Sequence, residues 1–123
     1  MRNLLIATLM LLCGTAQAEW LFVGGSDRAD YYIEMKTIQK AGDRRQVLEL
    51  LDLKVPDVRG NRSYLALYEY DCPTQRARIL RSACFDGPMG GGQKTHEQLV
   101  PGDWLPASPD SAGIAQIKLV CGE

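Results

Sequence analysis

The chain has 123 residues, and its 14 Lys and Arg against 15 Asp and Glu give a formal net charge of −1. This length suits one domain with a single core. A charge this close to neutral argues against nucleic-acid binding, which needs a strong basic excess.

The N-terminus has the organisation of a secretory signal peptide. Arg2 provides a positive start, residues 4–12 are an apolar run, and Ala16–Ala18 forms a small-x-small cleavage site. The run is too short to anchor the protein in a bilayer, and no later run is long enough to cross one. We therefore predict a signal peptide over residues 1–18, with cleavage after Ala18, and a single mature domain over residues 19–123 without a transmembrane segment. Such a domain is periplasmic or exported to the cell surface.

Four cysteines occur, and the first of them, Cys13, lies inside the signal peptide. Its use as a lipid-attachment site is the less favoured alternative, because leucines rather than small residues precede it. Cleavage leaves Cys72, Cys84 and Cys121. In an oxidising compartment this odd number predicts one disulfide and one free thiol.

The first half of the mature domain is predicted to be β-structure. Residues 20–23 form an apolar run ended by two glycines, which indicates a buried first strand. Residues 31–35 are a second β-rich run, and Gly42 with Asp43 marks a turn. Residues 46–55 are ambiguous, since their leucine spacing also suits a helix, but the turns that flank them favour a strand.

Two alternating runs predict a β-hairpin in the middle of the chain. In residues 63–72 the tyrosines Tyr64, Tyr68 and Tyr70 fall on one face, with leucines and acids on the other. Residues 76–85 alternate in the same way after a short turn. The two runs therefore form adjacent antiparallel strands.

The C-terminal third contains a loop, a short strand and extended coil. Residues 87–92 are rich in glycine and cannot be regular structure. Residues 93–99 add a short strand, and prolines make residues 101–109 extended coil.

The chain ends in a predicted helix. Positions at helical spacing are Ile114, Ile117, Lys118 and Cys121. An N-cap over residues 109–111 and a stop at Gly122 bound this helix. The predicted fold is α+β, an antiparallel sheet of four to six strands with a C-terminal helix packed on one face.

Few residues suit catalysis, so we predict that the protein is not an enzyme and holds no metal or other cofactor. His96 is the only histidine; it has no neighbours at metal-ligand spacing, and a solvated loop is its expected place. The alternative is a periplasmic enzyme or thiol redox protein that uses Cys84 with His96, but no flanking motif supports that pair. The loop at residues 87–92 lacks the ending of a phosphate-binding loop, which leaves tight backbone turns as the role of its glycines.

The predicted hairpin supplies the candidate binding surface. Tyr64, Tyr68 and Tyr70 share one face, and Arg76 and Arg78 are expected across from them. Tyrosine and arginine carry much of the energy of protein interfaces. We predict a non-catalytic module that binds a protein partner, or a second copy of itself, through its sheet. The alternative is that the tyrosines pack under the helix while the arginines pair with neighbouring acids.

Cys72 and Cys121 are the favoured disulfide pair, because one ends a strand and the other ends the covering helix. Chain entropy gives such a bond roughly 4 kcal/mol. Cys84 is the alternative partner of Cys72, although Cys72 lies near the hairpin turn and Cys84 at the far end.

Short motifs occur in order along the mature chain. They are Trp20, Tyr32-Ile33-Glu34, Tyr70-Asp71-Cys72, Gly87-Pro88-Met89-Gly90-x-Gly92, Trp104 with Pro106, and Val120-Cys121-Gly122. In this order and spacing they resemble the surface-adhesin protein E-like family of exported proteobacterial proteins.

The resemblance implies an antiparallel sheet with a C-terminal helix, a Cys72–Cys121 disulfide and no enzyme activity. It also implies a protein partner, such as a host matrix or serum protein at the cell surface. The chain differs from the family in its additional Cys84 and in lacking a good lipidation motif. Its default destination is then the periplasm, where an envelope protein is the expected partner.

Overall fold

The structure is a computed structural model that describes residues 18–107 and 111–122. It contains seven strands and one helix: β1 Leu21–Gly25, β2 Ala29–Ala41, β3 Arg44–Leu53, β4 Ser63–Asp71, β5 Arg76–Phe85, β6 Lys94–Gln98, β7 Leu105–Pro106 and α1 Ser111–Cys121. The predicted signal peptide up to residue 17, and the N-cap at residues 109 and 110, lie outside the described residues.

All seven strands belong to one antiparallel sheet. β1 to β6 lie side by side in chain order, and β7 pairs with the edge of β5 beyond β6. The antiparallel sheet with a C-terminal helix is therefore confirmed. The predicted count of four to six strands was too low, because the strand β7 has only two residues and shows no alternating pattern.

The first strand is an edge strand and not the buried strand that its apolar run suggested. β1 pairs only with β2 in the sheet, and Phe22 is 56% exposed. The Phe22 ring meets the edge of Tyr32 with their centroids 5.7 Å apart, while Val23 packs against the core. Leu21 is also exposed, at 43%, so the sheet and helix cover only part of this apolar run.

A two-residue loop connects β2 and β3 at the position of the predicted turn. Ala41 is paired with Arg44, so Gly42 and Asp43 form the connection. Gly42 has a φ of 60°, a conformation that glycine adopts without steric cost and that matches a tight hairpin turn.

The core lies between α1 and one face of the sheet, which we call the helix side. Ile33 from β2, Val47 from β3, Tyr70 from β4 and Val120 from α1 form its buried cluster. Ile114, which was expected to belong to the apolar stripe of the helix, is 47% exposed. The opposite face of the sheet is the helix-free side.

The disulfide between Cys72 and Cys121 is confirmed. Their Cα atoms are 5.6 Å apart and the bond spans 49 residues of sequence, while Cys84 is free. The bond joins the end of β4 to the end of α1, so it fixes the helix over the core. Within the part of the chain that the structure describes, no helix has the length and hydropathy needed to cross a membrane.

Candidate functional site

A groove beside α1 is the candidate functional site. It has a volume of about 620 Å³ and lies on the helix side of the sheet. Gly113 and Gln116 of α1 form one wall, and residues 98–107 contribute the opposite wall. The floor consists of side chains from β2 to β5, among them four tyrosines: Tyr31, Tyr64, Tyr68 and Tyr70.

The three tyrosines of β4 share the helix side, as their alternation predicted, but they differ in burial. Tyr70 belongs to the buried core cluster under α1. Tyr68 is half-buried beside it, with the two ring centroids 6.1 Å apart. Tyr64 is also half-buried and lies further along the groove. Packing under the helix thus applies to Tyr70, while Tyr64 and Tyr68 present surface to the groove.

Tyr64 is held by a carboxylate next to the groove. Its hydroxyl donates a hydrogen bond to Asp57, which also accepts bonds from the backbone nitrogens of Arg59 and Asn61, each at 2.9 Å. The bond from Tyr64 is the main cause that lowers the pKa of Asp57 to about 2, and it raises the pKa of Tyr64 to about 12. These bonds fix the orientation of the Tyr64 ring.

The two arginines that were expected beside the tyrosines belong to the opposite face. Directly opposed residues of an antiparallel pair share a face, and Arg76 and Arg78 are opposite Asp71 and Glu69. Arg78 contributes to the groove lining, but its guanidinium forms an ion pair with Glu69 at 2.8 Å and stacks on Trp104 at 4.7 Å. The tyrosines and arginines therefore do not form one continuous surface, and Arg78 has the acidic partner that the alternative interpretation expected.

A buried acid lies in the groove floor. Glu49 is 6% exposed, and it accepts a hydrogen bond from the Tyr70 hydroxyl. Burial raises the pKa of Glu49 to about 8, and the bond from Tyr70 offsets only part of that effect. At neutral pH the carboxyl group is therefore mainly protonated, and the groove floor is uncharged.

Glu49 was not among the predicted site residues. It lies on the same face of β3 as Val47 and Leu51, and the register places it opposite Ala66 on the helix side. An acid between the apolar residues Val47 and Leu51 on one face of β3 was the available signal.

Cys84 and His96 are neighbours across β5 and β6. Their Cα atoms are register partners, Cys84 is half-buried and His96 is exposed on a strand and not on the predicted loop. Burial raises the pKa of the Cys84 thiol, and the negative charge of Asp57 adds to this effect. The thiolate is the nucleophilic form of cysteine, so a raised pKa disfavours the enzyme alternative for this pair. Within residues 18–107 and 111–122, no group of three His, Cys, Asp or Glu is placed to hold a metal ion.

Backbone amides of the glycine-rich loop form hydrogen bonds within the protein. The nitrogen of Met89 donates to Asp52 and that of Gly90 donates to Ser63 Oγ, both at 2.8 Å. Gly90 and Gly92 have φ values of 73° and 74°, which agrees with the predicted role in tight backbone turns.

One antiparallel sheet, one helix tied to it by a disulfide, and an apolar groove between them define a small disulfide-linked α+β domain. The sequence profile described as surface-adhesin protein E matches residues 20–122. The chain therefore belongs to the surface-adhesin protein E family, as the motif resemblance predicted.

Solved structures of protein E from Haemophilus influenzae have the same fold. Crystal form II is similar with a TM-score of 0.64 and 15% identity, over 86% of this chain and 89% of that chain. The selenomethionine form has a TM-score of 0.63 and 14% identity, over 87% and 88% of the two chains. Protein E from non-typeable Haemophilus influenzae has a TM-score of 0.57 and 15% identity, over 86% and 77%. No curated protein is significantly similar in sequence.

Proposed function

We propose that this chain is an exported, non-catalytic, adhesin-like protein that binds a protein partner through the groove beside α1. Membership of a surface-adhesin family supports the adhesin-like role. The observation that carries the site is the apolar groove itself, with two half-buried tyrosines, Tyr64 and Tyr68, in its floor. The predicted signal peptide supports export.

The chemistry of the groove favours apolar and aromatic side chains of the partner. Its charged lining residues are Glu49, Arg78 and Asp103. Glu49 is mainly protonated at neutral pH, because burial raises its pKa to about 8, and Arg78 is paired with Glu69. Among the described residues, Asp103 has no ion-pair partner, so a ligand meets few charges in the groove.

The rim of the groove supports a macromolecular partner. Leu105, on the wall opposite α1, is 64% exposed. Exposed apolar side chains around an apolar concavity are typical of protein interaction sites, and tyrosines in the centre of such a site carry much of the binding energy. We propose that a segment of a host matrix or serum protein, or of an envelope protein, places a large apolar side chain between α1 and Leu105.

The test is binding of the mature domain to a panel of purified matrix, serum and envelope proteins by surface plasmon resonance. Tyr68→Ala removes a groove side chain, and Tyr32→Ala is the matched control, since Tyr32 lies on the helix-free side. We expect at least one panel protein to bind, with affinity at least tenfold weaker for Tyr68→Ala and little changed for Tyr32→Ala.

A second variant distinguishes loss of binding from loss of fold stability. Gln116→Arg extends a long side chain from α1 into the groove and leaves the floor intact, so it should weaken binding as Tyr68→Ala does. Equal binding by all variants, or no binding by the parent domain, would contradict the proposal. A groove-dependent dimer, detected by size-exclusion chromatography with light scattering, would assign the groove to a second copy of the chain instead.

A further inference from the structure

The predicted mature N-terminus lies against a buried acid. Glu34 is 4% exposed, and its Oε2 accepts a hydrogen bond from the backbone nitrogen of Glu19. Its Oε1 accepts a bond from the backbone nitrogen of Lys36 at 3.4 Å. The Lys36 ammonium is 2.9 Å from the side chain of Glu19, whose hydrogen bond is the main cause that raises the pKa of Lys36; the charge of Glu34 adds to this effect from beyond ion-pair distance. Among the described residues, no cationic side chain forms an ion pair with Glu34.

Signal-peptide removal changes the charge of the atom that contacts Glu34. In the precursor the Glu19 nitrogen is an uncharged amide. Cleavage after Ala18 converts it into an α-ammonium group, with an ordinary pKa of about 8. Ala18 and Glu19 are both exposed, so the bond between them is accessible in the folded domain.

The new charge would stabilise the buried carboxylate of Glu34. A buried carboxylate is costly unless it is hydrogen-bonded and paired with a positive charge. The amide already gives Glu34 a charge-assisted hydrogen bond, and the ammonium group adds the attraction of an opposite charge at the same place. The ammonium group would form where an amide already bonds, so no rearrangement of the chain is required.

We propose that removal of the signal peptide completes the fold, because it supplies the α-ammonium group of Glu19 as the counter-charge of Glu34. The proposal rests on the predicted cleavage after Ala18. The Cys72–Cys121 disulfide is a second constraint, and it forms in an oxidising compartment. The domain therefore reaches full stability only after export, and the unprocessed, reduced chain is easier to unfold during translocation.

The test compares two disulfide-bonded chains released from a fusion by a protease that leaves no extra residue. One begins at Glu19, and the other begins at Ala18, which moves the ammonium group one residue, or about 3.8 Å, along the chain. Each is made with Glu34 and with Glu34→Gln. At pH 7 we expect the Tm of the chain that begins at Glu19 to be higher by about 4 °C or more.

This difference has two further signatures. It should be much smaller in the Glu34→Gln background, because the amide oxygen still accepts a hydrogen bond but the attraction between opposite charges is lost. It should also decrease as the pH rises through the pKa of the α-ammonium group, which pairing with Glu34 raises in the folded state. Equal Tm values for the two chains, or a difference of the same size with Glu34→Gln, would overturn the proposal.

Cleavage itself is tested separately, by the intact mass of the exported protein. A mass that begins at Glu19 supports the mechanism in the cell. A different first residue, or a diacylglyceryl adduct on Cys13, would overturn the mechanism in the cell, whatever the Tm values of the two purified chains are.

Discussion

Replacing the buried acid of the groove should change how stability depends on pH. Glu49→Gln keeps the shape of the side chain and an oxygen that accepts the bond from Tyr70, but it removes the ionisable group. Burial raises the pKa of Glu49 from its ordinary value of 4.5 to about 8. Between these two values the folded chain binds more protons at this site than the unfolded chain, so the free energy of unfolding falls as the pH rises.

The size of the effect follows from the pKa difference. One pKa unit corresponds to about 1.4 kcal/mol, so the slope from this group approaches about 1.4 kcal/mol per pH unit inside the window. Between pH 5 and pH 7 the parent domain should lose on the order of 2–3 kcal/mol that the Glu49→Gln variant keeps.

Urea unfolding of the oxidised mature domain from pH 5 to pH 9 measures this effect. The difference in unfolding free energy between Glu49→Gln and the parent should grow in favour of the variant as the pH rises to about 8 and then level off. The control is Glu97→Gln, which changes an acid on the edge strand β6 that is exposed to solvent. Parallel pH profiles for the parent and Glu49→Gln would refute the assignment of a buried, protonated Glu49.

Two further predictions concern bonds that frame the groove. Cys121→Ser should lower the free energy of unfolding by about 2–5 kcal/mol, because native disulfides in small secreted domains contribute this much. Cys84→Ser is the control and should have a much smaller effect in the same urea titration. Equal effects would contradict the Cys72–Cys121 assignment. Tyr64→Phe should raise the pKa of Asp57 from about 2 toward its ordinary value, since the Tyr64 hydroxyl is the main cause of the lowering. An NMR titration of the Asp57 carboxyl carbon checks this, and an unchanged pKa would exclude the bond.

The sheet was predictable because its strands alternate strongly. The tyrosines of β4 and the turn at Gly42 carry clear local signals, and both lie where the sequence placed them. Ile114 shows the limit of helical spacing: the pattern predicts a face, but the residue of α1 with no exposed surface is Val120, and contact with the sheet decides which face is buried.

The composition of the site was less predictable, because it depends on register. The β4–β5 pair contains an irregularity between Leu67 and Tyr68, and pairing of Glu69 with Arg78 puts the arginine on the helix-free side. Pattern alone predicts that residues alternate, but it does not predict which residues of two strands are opposite. Glu49 was missed for a related reason, since its burial and its hydrogen bond from Tyr70 depend on the tertiary structure and not on the alternation within β3.

The most direct test of the central claim is chemical-shift mapping of the complex. The ¹⁵N-labelled mature domain would be titrated with the panel protein that binds it, and the perturbed amides would be assigned. We predict perturbations in the first half of α1, in residues 98–107 and at Tyr64 and Tyr68 of β4. Perturbations confined to the helix-free side, around Leu65 and Leu67 and away from these segments, would contradict binding through the groove.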